Sequence, residues 1–141
     1  EIENYLPSQS VDVVVSNPPF FKVGEVKQQN ANEYLTIARH EVLLTLETLI
    51  QKAAFVLDNN GYFAMVHRPD RLLDILTLLQ KYRLEPKKLQ LIYPKINGEA
   101  NMILIESRKN GNSGMKILPP VIVHNEDGTY SDPILKLFKR L

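Results

Sequence analysis

Regular patterning begins at Val11-Asp12-Val13-Val14-Val15-Ser16, a short, β-branched and almost wholly apolar run. Such a run predicts an interior strand covered on both faces of a parallel sheet. Asn17-Pro18-Pro19 ends it, because two successive prolines offer no amide donors to a ladder. Residues 21–40 are polar and carry no clear period, so they read as a loop of a length that is often functional. From Glu41 to about Asp58 a helical period returns in Leu46, Leu49, Ile50, Ala53 and Leu57, and Asn59-Asn60-Gly61 supplies a stop. Gly61 to His67 reads as a second buried strand. Pro69 and Asp70 open a second helix through about Arg83, with Leu72, Leu73, Leu76 and Leu79 on one side.

Leu89 to Tyr93 and Asn101 to Glu106 form two further strands around the turn-rich Pro94-Lys95-Ile96-Asn97-Gly98. So short a connection joins antiparallel neighbours and cannot make a parallel crossover. Val121 to His124 is a last extended piece, followed by a turn at Glu126-Asp127-Gly128 and a short helix from Pro133 to Leu141. The order is strand, helix, strand, helix, antiparallel pair. That predicts an α/β fold with a mixed sheet.

Composition narrows the class without choosing a function. The 141 residues suit one domain, and 44% apolar with 23% charged residues is ordinary for a globular chain. No apolar run is long enough to span a membrane, and EIENYLPSQS does not resemble a secretory leader. With no cysteine, disulfides and thiolate metal sites are excluded, which fits a cytoplasmic protein. Three scattered histidines show no metal-ligand spacing, so no metal is expected. Net charge is +1, but residues 1–80 hold 6 Lys/Arg against 10 Asp/Glu, whereas residues 81–141 hold 11 against 6. The basic half suits a phosphate backbone; a solvated surface explains it equally well.

The candidate chemistry lies in Asn17-Pro18-Pro19-Phe20, at the carboxyl end of the first strand. In open α/β sheets, ligands bind beyond the carboxyl ends of strands. An aromatic amine is a poor nucleophile, because its lone pair is delocalised into the ring. Acceptors aimed at its two hydrogens favour a pyramidal nitrogen and disperse the charge that develops during transfer. The Asn17 amide oxygen is one such acceptor, and the Pro18 carbonyl, on a backbone stiffened by proline, is a second. Phe20 offers a face on which an extruded base stacks. The plainer alternative is that Asn-Pro-Pro turns the chain and Phe20 fills the core.

VDVVVSNPPFF resembles the fourth motif of class I S-adenosylmethionine-dependent amino-methyltransferases, whose pattern is Asn or Asp, Pro, Pro, then an aromatic residue. Ile37-Ala38-Arg39-His40-Glu41 and the tail from Val121 to Ser131 are similar to the bacterial tRNA(Val) adenine-N(6)-methyltransferase group, so the likeness covers nearly all of residues 11–141. The resemblance implies that Asn17, Pro18 and Phe20 are catalytic. Pro19, Phe20, Phe21, Lys22, Arg39 and His40 would contact substrate, and Asn17 would also neighbour the methyl donor of S-adenosylmethionine. It implies tRNA as the partner and a loop over residues 21–40 that meets it. The same motif also serves glutamine side chains of release factors and guanine amines of rRNA.

One part of the family pattern is missing. There the cofactor is cradled by a Gly-rich turn and an acidic residue, both several strands before the motif. Here only sixteen residues precede Asn17, and none is glycine. The expectation is a partial domain over 1–141: the carboxyl-terminal half of a Rossmann-like class I methyltransferase fold, a mixed sheet ending in an antiparallel strand pair. Strand 11–16 should then present a hydrophobic edge that a missing amino-terminal half, or another chain, pairs with. Alone, such a chain is expected to bind cofactor weakly or not at all; the alternative is an inactive fragment acting as a binding module.

Overall fold

The computed structural model describes residues 4–18 and 31–140, giving the backbone alone for 31–39 and 42. Strand β1 (Val11–Ser16) leads, through helix α1 (Ala31–Val56), to strand β2 (Leu57–His67). A 3-10 turn (Pro69–Arg71) and helix α2 (Leu72–Lys81) follow, then β3 (Leu84–Tyr93) and β4 (Met102–Lys109). Two short strands, β5 (Lys116–Ile117) and β6 (Val121–Ile122), and helix α3 (Asp132–Phe138) complete the chain. The sheet order is β1-β2-β4-β3-β5, with β6 also on β3.

β1 and β2 run parallel, and β4 inserts antiparallel between β2 and β3. The antiparallel pair read from the sequence is therefore present, and the fold is α/β with a mixed sheet. Both helical crossovers advance in the same direction across the sheet, so right-handed connections lay α1 and α2 on one face. Leu46, Ile50 and Ala53 of α1 and Ile75 and Leu79 of α2 are buried there against Phe63, Met65, Leu89, Ile103 and Ile105. The two helices are also tied by polar contacts. Glu47 accepts from Lys81 Nζ at 2.5 Å and from Tyr82 Oη at 2.8 Å, which holds its carboxyl below the usual range.

Gly61 shows why a side chain is excluded where β1 and β2 meet. A Cβ there would lie 2.9 Å from the Asp58 carbonyl oxygen and 3.0 Å from that of Asp12. This is close backbone approach, which glycine alone permits.

Several expectations need correction. β1 is not covered on both faces: Val13 is 56% and Val15 74% exposed, and none of its residues is buried. Among the described residues it is an edge strand, with β2 as its neighbour. The expected loop over 21–40 is helical from Ala31 onward, while 21–30 lie outside the described residues. Ala31, Leu35, Ala38 and Val42 continue the helical spacing that leads into Leu46, and good helix formers carry the stretch. In α2 the buried stripe runs through Ile75 and Leu79, with Leu72 and Leu78 packed beside it, whereas Leu73 is 78% exposed. Of the expected stripe Leu72, Leu73, Leu76 and Leu79, Leu79 is buried and Leu72 packs beside it, while Ile75 replaces Leu73 in the core, because the leucine-rich run offers more than one helical stripe. The short strand β5, with Lys88 opposite Lys116 and Leu89 opposite Ile117, had no sequence signal of its own.

Candidate active site

β1 delivers the motif to the carboxyl end of the parallel pair. Ser16 lies opposite Met65, so the chain leaves β1 beside the last residues of β2, where His67 is 5% exposed. Asn17 is exposed and Pro18 half-buried. An exposed amide at this position can accept and donate hydrogen bonds to a bound group. Pro19, Phe20, Phe21 and Lys22 lie outside the described residues, as does the side chain of Arg39.

His40 is exposed. The amide of Ser10 donates to the Val56 carbonyl at 2.8 Å, so α1 ends where β1 begins. Running back sixteen residues from Val56 covers about 24 Å of helix, whereas the six residues of β1 span about 20 Å. The helix back to His40 and the strand forward to Asn17 are thus of similar length. His67 is different. Burial pushes its imidazole below the usual histidine value, against a hydrogen bond with the Arg68 backbone and the charge of Asp70. The enclosed imidazole packs the strand end.

On the face away from α1 and α2, a concavity of about 260 Å³ is lined by Val15, Ala64, Val66, Leu104, Leu118 and Gln90, among others. It adjoins the end of β1. Its floor is apolar, in keeping with the exposure of Val13 and Val15. Further along the same sheet, Arg108 donates to the Tyr62 hydroxyl with its guanidinium 4.5 Å from the ring centroid, and Lys88 pairs with Glu106 at 3.0 Å. Among the described residues, no group of three or more His, Asp or Glu could hold a metal ion, and no helix is long and apolar enough to cross a membrane.

A second group, outside the residues expected from the sequence, lies at the same sheet end. His124 and Tyr130 stack with ring centroids 5.0 Å apart, and Phe138 meets Tyr130 edge-on at 5.4 Å. Its sequence signal is the closeness of Lys136, Phe138, Lys139 and Arg140 within five positions.

Comparison with solved structures identifies the architecture. The chain superposes on a predicted O-methyltransferase from Agrobacterium tumefaciens with a TM-score of 0.74, at 19% identity, over 98% of this chain and 55% of that one. The fold is that of a Rossmann-like class I methyltransferase. A putative DNA modification methylase from Thermus thermophilus, solved in complex with S-adenosyl-L-methionine, aligns with a TM-score of 0.58 at 16% identity, over 80% of this chain and 53% of that one. In sequence, the chain is 32% identical over 138 residues to the tRNA1(Val) (adenine(37)-N6)-methyltransferase of Porphyromonas gingivalis, covering 96% of this chain and 53% of the relative. The enzyme of the same name from Aeromonas hydrophila is 29% identical over 126 residues, 89% of this chain and 51% of the relative. The chain thus spans about half the length of the curated relatives it matches. No protein-family profile matches it.

Proposed function

We propose that this chain carries the catalytic motif of a cytoplasmic S-adenosylmethionine-dependent methyltransferase that modifies the exocyclic amine of an adenine in tRNA, and that most of the cofactor cradle lies outside these 141 residues. The observation that supports it most is Asn17, exposed at the carboxyl end of β1 in a methyltransferase fold. The relatives named above supply the substrate class.

S-adenosylmethionine, when bound, supplies an electrophilic methyl group. The donor set of this chain fits that end of the cofactor: a neutral amide beside an open strand end places no cation against a sulfonium. In this reading the Asn17 amide oxygen and the Pro18 carbonyl accept the two amine hydrogens, and Phe20 stacks on the base. Pro19, Phe21, Lys22, Arg39 and His40 line the path of the RNA strand. The nitrogen lone pair is thereby turned toward the methyl donor without a titrating base.

Release-factor glutamine and rRNA guanine amines satisfy the same motif chemistry. The test is to supply tRNA, rRNA and release factor in parallel to the full-length protein with radioactive S-adenosylmethionine. Label confined to adenine of tRNA is the expected result. Label in release factor or in guanine overturns the substrate assignment.

A further inference from the structure

We infer that the ring cluster His124, Tyr130 and Phe138, with Lys136, Lys139 and Arg140, is a second RNA contact that stacks an unpaired nucleotide near the one being modified. The inference rests on the proposed RNA substrate and adds to it a surface outside the motif.

Three observations carry it. The first is rigidity. Strand β6 pairs with β3 through Ile92 opposite Val121 and Tyr93 opposite Ile122, and the amides of Val123 and His124 donate to the carbonyls of Tyr93 and Pro94. The turn that follows is pinned from within. Asn125 Nδ2 donates to Thr129 Oγ1 at 3.0 Å, and Asp127 accepts from the Thr129 amide at 2.9 Å and its hydroxyl at 2.6 Å. Those bonds hold the Asp127 carboxyl below its usual range. Ser131, 6% exposed, donates from Oγ to the Ile122 carbonyl at 2.5 Å. The turn therefore presents its rings on a preset frame.

The second observation is exposure with matching charge. Tyr130 is 46% and Phe138 54% exposed, although they touch each other. Rings held this way without being buried offer flat faces to a base, whatever its identity. Lys136, Lys139 and Arg140 follow within five positions, and among the described residues no carboxylate forms an ion pair with any of them. Free cations beside exposed rings are the arrangement that binds single-stranded nucleic acid, through phosphate and stacking together. A peptide partner would suit the exposed Leu135 and Leu137 but gives no role to Lys136, Lys139 and Arg140.

The third is position. β6 adjoins the carboxyl end of β3, which is parallel to β1 and β2, so the cluster lies at the same sheet end as Asn17. Four strand steps separate β1 from β6, about 19 Å. A short stretch of loop RNA bridges such a gap.

The test measures anisotropy of a fluorescein-labelled anticodon stem-loop against this 141-residue chain, with a fully paired RNA of equal length as control. Tyr130→Ala with Phe138→Ala should weaken stem-loop binding about tenfold or more and leave the weaker duplex binding unchanged. Lys136→Gln, Lys139→Gln and Arg140→Gln together, all at exposed positions, should weaken binding and reduce the slope of log affinity against log salt by about 2. Melting curves identify any variant that fails to fold, and the charge variant then decides alone. No binding by the parent chain, or affinity within about twofold in both variants, overturns the inference. Asn17→Ala in the full-length protein is scored separately, by methyl transfer. Tail variants that change nothing beside an Asn17 variant that abolishes transfer sink this inference alone. Tail-dependent RNA affinity without Asn17-dependent transfer sinks the catalytic reading alone.

Discussion

Around β1 both faces of the sheet carry valine and end up in different states. On the helical face Phe63, Met65, Ile103 and Ile105 are at most 2% exposed. On the other, Val13 and Val15 are more than half exposed beside a shallow apolar hollow. A parallel strand rich in valine is ordinarily sandwiched between layers. β1 therefore carries valine toward both faces, Val11 and Val14 against the core and Val13 and Val15 away from it, and α1 and α2 cover only one of them. What a strand's composition asks for and what its neighbours supply are separate matters, and the difference falls next to Asn17.

That contrast can be broken or sharpened by substitution. The largest effect expected is on the covered face: Phe63→Ala should cost about 3–5 kcal/mol, read as a lowered midpoint in urea. Val15→Thr on the open face should move the same midpoint by less than about 0.5 kcal/mol. Equal losses at the two positions would mean that the open face is covered in solution.

An intermediate effect concerns association. An exposed valine edge invites pairing with another chain. Val13→Lys with Val15→Lys should therefore abolish any concentration-dependent sedimentation of the chain while leaving its melting unchanged. Association that survives both lysines would place the contact elsewhere.

The smallest effect is a pH dependence. His67 has its value lowered by burial, so its protonated form is disfavoured in the fold. With the folded value below the unfolded one, stability is complete above the unfolded value of about 6.5 and falls as pH drops below it. The melting temperature should decline as pH falls below about 6.5, and His67→Gln should flatten that decline. An unchanged slope would assign it to the carboxylates instead.

How much of this was legible in the sequence depends on how local the determinant is. The strand at Val11 to Ser16, the α1 stripe of Leu46, Ile50 and Ala53, and the antiparallel β3–β4 pair each follow from periodicity and turn length. Position of the motif at a strand end was legible for the same reason. The helical start at Ala31 was not, because small and polar residues dilute the spacing of Ala31, Leu35, Ala38 and Val42. Nor was the exposure of Val13 and Val15, which depends on which elements lie over the sheet and not on β1 itself. The tail cluster escaped because Tyr130 and Phe138, eight positions apart, meet only once the Asn125–Thr129 turn and α3 have formed.

Everything proposed about catalysis depends on one side-chain oxygen. Methyl transfer to tRNA by the full-length protein, measured in a single turnover with Asn17 intact, with Asn17→Asp and with Asn17→Ala, tests it directly. The account predicts that Asn17→Ala slows the chemical step by about 100-fold or more, with melting unchanged because the residue is exposed, while Asn17→Asp, which keeps an acceptor oxygen, retains measurable transfer. A rate for Asn17→Ala within a few-fold of the parent would contradict it.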